Sequence, residues 1–338
     1  MPSAMFDYPP RLALAQTPTP FHLLERLSAR EGGPRIWVKR DDQTGAATSG
    51  NKVRKLEFTL ARALADGCDT LITCGGVQSN HCRSTALLGA RLGLRVHLIL
   101  RLDTAPEING NLLLDHLAGA EITLLEKAEY ARNQRENFSS WQELYRRQGR
   151  SPYFITTGAS DATGVWGYVG CAAELKEDFL REGIAPQRII HATGSGGTQA
   201  GLTAGAVLHD LPSQIVGMAV CDDAAYFERK VADDLRAWQM RYNPPIDPAA
   251  LDIIVDDRHI GAGYAIASEE VFRCIKDAAA LEGLILDPVY SGKAFLGMLK
   301  NLRAGEYRDC DDIVFVHTGG LFGLLSQQDR LHLENFAC

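Results

Sequence analysis

Short runs of apolar and β-branched residues alternate along the chain with longer segments of helical period. Eight runs predict β-strands, at residues 71–73, 96–100, 122–125, 153–155, 189–192, 215–220, 253–255 and 313–316. Between them apolar residues recur at helical spacing, as at Val53, Leu56, Leu60 and Leu64. Strands that alternate with amphipathic helices are typical of parallel sheets with helices on both faces. The pattern therefore predicts an α/β protein.

Two further segments bear on organisation. Residues 126–151 are the most polar stretch and predict a charged surface helix that closes one domain. The glycine-rich segment 156–170 predicts a crossing between domains. The length of 338 residues supports two domains, because single hydrophobic cores stop growing near roughly 250–300 residues.

Charge and composition narrow the range of partners. A formal net charge of −7 gives no overall attraction to nucleic acid or to anionic membranes. No apolar run approaches the roughly 18 residues of a membrane span, and the chain start lacks a secretion signal. The eight cysteines show no paired spacing, which favours a reducing cytoplasm. The histidines lack metal-ligand spacing, so we expect no metal site.

A glycine-rich turn, TGSGGT at residues 193–198, follows the predicted strand 189–192 and precedes a predicted helix. Glycines let amide groups converge on one point, and a helix start carries partial positive charge, so the turn suits a phosphate. A dinucleotide fingerprint fails at Gln199, but Asp222 after the next strand keeps a nicotinamide oxidoreductase open. A tight turn without a ligand is the structural alternative.

Two lysines, Lys52 and Lys55, lie three residues apart near the start of a predicted helix. Neighbouring ammonium groups make each other harder to protonate, and a lysine of lowered pKa can attack an aldehyde. Lys55 would keep its charge beside a phosphate while Lys52 reacts. Alternatively, both are solvated lysines on a helix surface.

The segment GGVQSNH at residues 75–81 also lies between a strand and a helix. Helix-start amides with Ser79, Asn80 and His81 could hold a carboxylate or a ring hydroxyl. Ser and Asn are also preferred helix caps, so a purely structural role is equally open.

Five segments together resemble one family of pyridoxal-phosphate enzymes, that of D-cysteine desulfhydrase and 1-aminocyclopropane-1-carboxylate deaminase. They are GNKVRKLEF (50–58), GGVQSNH (75–81), TGSGGTQAG (193–201), LEGLILDPVYSGKA (281–294) and HTGG (317–320). The resemblance implies the two-domain tryptophan-synthase-β-like fold (fold type II). Residues 1–50 with 165–338 would form a large cofactor-binding domain, and residues 51–164 a smaller inserted one.

The resemblance also implies residue roles. Lys52 would bind pyridoxal 5′-phosphate covalently, and Ser79, Tyr264 and Tyr290 would join it in catalysis. Ser79 and His81 would receive the amino-acid substrate. The remaining cofactor contacts would come from Lys55, Asn80, Gly194, Gly196, Gly197, Thr198, Ser291 and Thr318. Family members are homodimers, so a homodimer is expected.

Position 291 favours one branch of the family. Deaminases have a glutamate there that faces the pyridine nitrogen, whereas Ser291 leaves the ring a weaker electron sink. We therefore expect β-elimination from D-cysteine. Elimination of sulfite from L-cysteate, deamination of the cyclopropane amino acid and silent cofactor binding are alternatives.

Two details bear on these alternatives. A sulfonate would need an additional cation, for which the sequence offers His81 and Arg83. The chain also departs from the family pattern at Ser49 and at residues 321–323. The resemblance places both beside the presumed pocket, so a substrate other than D-cysteine or L-cysteate is also open.

Overall fold

The structure, a computed structural model, describes residues 6–102 and 106–333. Within these ranges ten strands form a six-stranded sheet, in the order β1-β2-β10-β7-β8-β9, and a four-stranded sheet, in the order β5-β4-β3-β6. All neighbours pair in parallel except β1 and β2. The strands are β1 (Phe21–Leu23), β2 (Arg35–Lys39), β3 (Thr70–Gly76), β4 (Arg95–Leu102), β5 (Glu121–Glu126), β6 (Pro152–Ile155), β7 (Arg188–Thr193), β8 (Gln214–Ala219), β9 (Ile254–Asp256) and β10 (Asp312–Val316).

Helices connect the strands throughout the described ranges. The α-helices are α1 (Glu25–Glu31), α2 (Asn51–Ala65), α3 (Asn80–Arg91), α4 (Gly110–Leu117), α5 (Lys127–Arg135), α6 (Ser139–Arg147), α7 (Val165–Glu182), α8 (Gly197–Leu208), α9 (Ala224–Tyr242), α10 (Glu269–Glu282), α11 (Ser291–Arg303) and α12 (Leu321–Leu325). Short 3-10 helices lie at Asp41–Gln43, Thr157–Ala159, Pro248–Ala250 and Gln328–Leu331. No helix of the described ranges is long and apolar enough to cross a bilayer.

The larger sheet is covered by helices on both faces. Along β10, Ile313 and Phe315 pack into a core with α10 and α11. The alternate residues Val314 and Val316 pack into a second core with α7 and α8. Successive side chains of a strand point to opposite faces, so a strand buried on both sides must be apolar throughout. The predicted α/β class with parallel sheets is confirmed.

The smaller sheet is also covered on both faces, which corrects the prediction for residues 126–151. That stretch forms two helices, α5 and α6, instead of one exposed helix. Tyr130, Phe138 and Tyr145 are buried there against Ile72 and Cys74 of β3. The many charged residues between them hid this apolar face.

All eight predicted strands are present, but β1 and β2 lie outside the prediction. Strand β1 has only three residues, and β2 carries a buried lysine, Lys39. The ammonium of Lys39 is bound to Asp178 at 2.6 Å and to Glu174 at 3.2 Å. Ion pairing of this kind allows a charge inside a strand that the hydrophobic pattern would exclude.

A buried ionic network joins the two sheets through α2. The Arg54 guanidinium binds both oxygens of Asp41, at 2.8 Å each, and both oxygens of Glu174, at 2.7 and 2.9 Å. Asp41 follows β2, and Glu174 lies on α7. The network therefore fixes α2 against the larger sheet. The division into residues 51–164 and the remainder stays a prediction, although every strand of the smaller sheet falls within that segment.

Candidate active site

The predicted site segments meet at one end of the two sheets. Three of them, 75–81, 193–201 and 317–320, follow the carboxyl ends of β3, β7 and β10, whereas 50–58 starts α2 and 281–294 joins α10 to α11. This edge is where open α/β sheets bind ligands. It encloses a cavity of about 730 Å³. Ten of the thirteen predicted site residues line it: Lys52, Ser79, Asn80, His81, Gly194, Gly196, Thr198, Tyr264, Tyr290 and Thr318. The other three, Lys55, Gly197 and Ser291, do not line it.

Lys52 is held at the cavity by the first turn of α2. Gly50 has φ of 106°, a conformation that favours glycine, and a Cβ there would lie 3.0 Å from the Thr318 carbonyl oxygen. The next amide, that of Asn51, donates to the same oxygen at 3.0 Å. Burial lowers the pKa of Lys52 to about 8, so much of its amine is neutral near that pH. The pKa of Lys52 is lowered, as the sequence predicts, but burial and not repulsion from Lys55 is the cause.

The glycine turn faces the segment 158–160. The Gly197 amide donates to Ser160 Oγ at 3.1 Å, and that oxygen lies 2.9 Å from Ser195 Oγ. Lys55 Nζ donates to the Gly158 carbonyl at 3.0 Å and to Ser160 Oγ at 3.3 Å. Two groups predicted to bind phosphate, Lys55 and the Gly197 amide, are thus bonded to this segment. Burial and the charge of Lys52 hold the pKa of Lys55 well below its ordinary value.

Thr198, the first side chain after these glycines, is tied to α2. Asn51 Nδ2 donates to Thr198 Oγ1 at 3.0 Å, one residue before Lys52. The start of α8 and the start of α2 therefore lie side by side at the cavity. Lys52 and the start of α8 therefore face the same cavity.

Ser79 has the structural role that its residue type predicts, and it also faces the cavity. Its Oγ accepts from the Cys82 amide at 3.2 Å and so caps α3. Asn80, the first residue of α3, lines the cavity, and its Oδ1 accepts from an Arg83 Nη at 3.3 Å. Neither bond removes these residues from the cavity wall.

His81 is a neutral acceptor. Thr73 donates its single hydroxyl proton to the Ile155 carbonyl at 2.9 Å, so His81 Nε2, 2.8 Å from that hydroxyl, is assigned as the protonated nitrogen. His81 Nδ1 is then a free lone pair, and it is buried with no partner in the part of the chain that the structure describes. Burial, with the charges of Lys52 and Lys55, lowers the pKa of His81 far below its ordinary value. His81 therefore cannot supply the additional cation for a sulfonate.

Arg83, the other candidate cation, is turned away from the cavity and does not line it. It is 1% exposed. Its Nη atoms donate to Asn111 Oδ1 at 3.0 Å and to the Ser49 carbonyl at 2.5 Å, and its guanidinium lies 4.8 Å from the centre of the Phe322 ring. The two departures from the family pattern, at Ser49 and at residues 321–323, thus surround Arg83. They lie beside the cavity and do not line it.

The two predicted tyrosines form a pair. Tyr264 Oη and Tyr290 Oη lie 2.7 Å apart, with ring planes at 69°. Burial raises the pKa of both hydroxyls, which keeps both protonated at neutral pH. Arg101, on the end of β4, lies over the Tyr264 ring at 5.6 Å. The pair can donate a hydrogen bond or a proton into the cavity.

Ser291 is buried in the turn that starts α11. Its Oγ lies 2.7 Å from Asp287 Oδ1 and 3.2 Å from the Gly319 carbonyl oxygen, and it accepts from the Asp287 amide at 2.9 Å. The Asp287 carboxylate also accepts from the amides of Val289, Tyr290 and Ser291, and so caps the helix. Contact between Ser291 and a cofactor ring nitrogen stays a prediction.

The cavity residues that the sequence prediction missed include Arg101, Ser160, Lys230 and Asp234. Ser160 lies in the glycine-rich segment that was interpreted only as a domain crossing. Lys230 and Asp234 form an i,i+4 pair on α9, a spacing common on solvated helices. Sequence alone carries no signal that this pair faces a cavity.

The cavity residues fit a flat, phosphorylated aldehyde. Glycines leave space in two places: a Cβ on Gly158 would lie 3.0 Å from Lys52 Nζ, and one on Gly194 would lie 3.0 Å from the Tyr290 ring. The buried Thr193 hydroxyl beside the turn has no partner among the described residues. A partly neutral amine suits the aldehyde, and the amides at the start of α8 suit the phosphate.

Comparison with known protein families gives one match over most of the chain. Residues 12–319 match the model for the family described as pyridoxal-phosphate dependent enzyme. The chain is 40% identical over 331 residues to the mitochondrial bifunctional D-cysteine desulfhydrase/1-aminocyclopropane-1-carboxylate deaminase of Arabidopsis thaliana, covering 94% of this chain and 80% of that protein. It is 41% identical over 322 residues to a putative 1-aminocyclopropane-1-carboxylate deaminase of Thermotoga maritima, covering 95% and 99%. A D-cysteine desulfhydrase of Serratia proteamaculans is 38% identical over 331 residues, covering 95% and 97%.

Solved structures agree on the fold. The crystal structure of a homologue of 1-aminocyclopropane-1-carboxylate deaminase superposes with a TM-score of 0.85 at 33% identity, covering 98% of each chain. An O-ureido-L-serine synthase superposes with a TM-score of 0.65 at 17% identity, covering 92% of this chain and 91% of that one. The second likeness concerns the fold alone.

Proposed function

Because the chain belongs to the family of pyridoxal-phosphate-dependent enzymes, we propose that it eliminates hydrosulfide from D-cysteine. The balanced reaction is D-cysteine plus water giving pyruvate, ammonia and hydrogen sulfide. The Cα–H and Cβ–S bonds break, and water then replaces the amino nitrogen. The family resemblance in the sequence is confirmed, and with it pyridoxal phosphate as cofactor. The nicotinamide alternative loses its support, since the chain belongs to the pyridoxal-phosphate-dependent family.

The observation that carries the proposal is the placement of Lys52. Its amine, with a pKa of about 8, faces the same cavity as the start of α8 and the tyrosine pair. Bound pyridoxal phosphate supplies an electron sink for the pair left when a bond at the substrate Cα breaks. Lys52 Nζ is then the base that accepts the Cα proton. An amine held near neutrality can both take up that proton and return it.

The tyrosine pair suits the leaving group. Sulfur leaves more readily when a proton or a hydrogen bond reaches it, and the Tyr264 and Tyr290 hydroxyls stay protonated through burial. Their Oη–Oη contact of 2.7 Å lets one hydroxyl donate while the other replaces its proton. The helix start at Ser79 and Asn80 suits the substrate carboxylate through its amides.

Position 291 favours elimination over deamination of the cyclopropane amino acid. The hydroxyl of Ser291 bonds to Asp287 and carries no charge of its own. Opening a cyclopropane ring without an acidic α-hydrogen requires a stronger electron sink than expelling a good leaving group. A serine at this position is therefore sufficient for D-cysteine.

Elimination of sulfite from L-cysteate is the second candidate, favoured by one observation. Arg101 lines the cavity at the end of β4, in register with Gly76 of β3, close to the helix start at Ser79. A guanidinium there could bind a sulfonate while α3 binds the carboxylate. His81 and Arg83 do not supply this cation, because the lowered pKa of His81 keeps it neutral and Arg83 does not line the cavity.

The experiment is a substrate panel with the purified protein. D-cysteine, L-cysteine, L-cysteate and the cyclopropane amino acid are each supplied, and keto acid, sulfide and sulfite are measured. We expect pyruvate and sulfide in equal amounts from D-cysteine, loss of both in Lys52→Ala, and no change in Lys300→Ala, a half-buried lysine outside the cavity lining, paired with Glu270. Sulfite from L-cysteate would select the second candidate. A cofactor-loaded protein that forms no keto acid would indicate silent cofactor binding.

Two further proposals concern the setting of the enzyme. The seven cysteines within the described ranges are all free, which suits a reducing cytoplasm. Assembly as a homodimer follows from the family resemblance, and measurement of the mass in solution tests it.

A further inference from the structure

One turn of α9 packs directly on the glycine turn that precedes α8. Gly196 has φ of 84°, and a Cβ on it would lie 3.2 Å from Lys230 Cγ and 3.4 Å from Val231 Cγ2. The same Cβ would lie 3.7 Å from Asp234 Oδ2. A glycine is therefore needed both for the backbone conformation and for the approach of α9. The closeness brings the Lys230–Asp234 pair to the amides that suit a phosphate.

The Lys230 ammonium is held at this turn by two neighbours. Its Nζ lies 2.5 and 2.6 Å from the two oxygens of Asp234, and it donates to the Ser160 carbonyl at 3.2 Å. Ser160 is the residue whose hydroxyl accepts from the Gly197 amide. Lys230 and Asp234 both line the cavity, so the ammonium and its carboxylate partner both border the ligand space.

A phosphate at this turn needs cations, and Lys55 meets that need poorly. Lys55 is fully buried, does not line the cavity, and already donates to Gly158 and Ser160. Burial and the charge of Lys52 also lower its pKa well below the ordinary value. A phosphate group carries close to two negative charges at neutral pH, and charge-assisted hydrogen bonds are the strong contacts to it.

We propose that Lys230 is a phosphate-binding residue for the cofactor, and that it exchanges one of its contacts with Asp234 for a phosphate oxygen. The inference rests on the phosphate lying at the start of α8, as the proposed function has it. Asp234 remains bonded to the ammonium through its other oxygen and sets its direction. Burial raises the pKa of Asp234 to about 6, and the charge of Lys230 opposes that rise.

The test compares two ligands that differ only in the phosphate. The full chain is freed of cofactor and titrated with pyridoxal phosphate and with pyridoxal, and binding is followed by visible absorption. Both ligands can react with Lys52, so the ratio of their affinities isolates the phosphate. We expect Lys230→Met to weaken pyridoxal phosphate at least about tenfold, as loss of one charge-assisted bond implies, and to leave pyridoxal unchanged. Lys300→Met is the matched control and should change neither ligand.

Two results would overturn the inference, and two would support it. Equal weakening of both ligands would mean that Lys230 only supports the fold, and unchanged affinity for pyridoxal phosphate would mean that it does not touch the phosphate. Either overturns the inference. Lys230→Arg should recover most of the lost affinity, and the phosphorus NMR shift of the bound cofactor should move in Lys230→Met. Failure here leaves the proposed function standing as long as the parent protein binds pyridoxal phosphate and turns over substrate.

Discussion

Replacing Lys52 with methionine should make the cofactor-free protein more stable near neutral pH. The structure buries this amine, and its pKa falls from 10.5 to about 8. One pKa unit corresponds to about 1.4 kcal/mol, so burying the protonated amine costs about 3 kcal/mol of folding free energy. Methionine has a similar length and carries no charge, so Lys52→Met removes this cost.

The effect has a defined pH window. The pKa of Lys52 is lower in the folded state, so between about pH 8 and 10.5 the unfolded chain binds more protons than the folded one. Stability therefore rises with pH across that window, and the cost is fully present below it. Guanidinium unfolding of the cofactor-free parent and of Lys52→Met at several pH values measures the difference. We expect about 3 kcal/mol in favour of the variant at pH 7, shrinking towards zero near pH 10.5.

The control is Lys300→Met, which removes a half-buried amine paired with Glu270 at 2.6 Å. It should differ little from the parent at any pH. If Lys52→Met gives a difference that is the same at pH 7 and pH 10, side-chain packing rather than charge burial is responsible. The reasoning about a reactive, partly neutral amine would then be refuted.

Two further predictions concern the frame around this lysine. Arg54→Met leaves the buried carboxylates of Asp41 and Glu174 without their partner, so the free energy of unfolding should fall by about 3–5 kcal/mol; a loss below about 1 kcal/mol would show that the network does not fix α2. Gly158→Ala puts a Cβ against Ser195 Oγ and 3.0 Å from the reacting amine, and should weaken pyridoxal phosphate at least about tenfold, since these contacts displace both the glycine turn and the amine. Gly149→Ala, at a similar φ of 76° with open space around it, should cost stability alone; equal cofactor affinity in both variants would contradict the steric argument.

The sequence predicted the parts of the fold that depend on local pattern. All eight predicted strands are present, because strands buried on both faces must be continuously apolar, and β10 is the clearest case. The segments 75–81, 193–201 and 317–320 could also be located, since each couples glycines or helix-capping residues to the end of such a strand. Ten of the thirteen predicted site residues line one cavity.

The features that the sequence did not predict depend on tertiary contacts, which no local pattern encodes. In the sequence, the charge of Lys39 argues against a buried strand. Its partners Glu174 and Asp178 lie on α7, far along the chain, and only the tertiary structure shows that they neutralise it. From the sequence, Arg83 is a candidate cation for the substrate. In the structure it donates to Asn111 Oδ1 and to the Ser49 carbonyl, which hold it away from the cavity. Lys230 lies 32 residues beyond the turn it contacts, so only the packing of α9 reveals it.

The central claim is that Lys52 is the amine that holds the cofactor. Borohydride reduction of the cofactor-loaded protein, followed by digestion and mass spectrometry of the peptides, tests it most directly. We predict a single reduced pyridoxyl adduct on the peptide that contains Lys52. An adduct on any other lysine, or the absence of an adduct in a protein that shows the cofactor's visible absorption, would contradict the account.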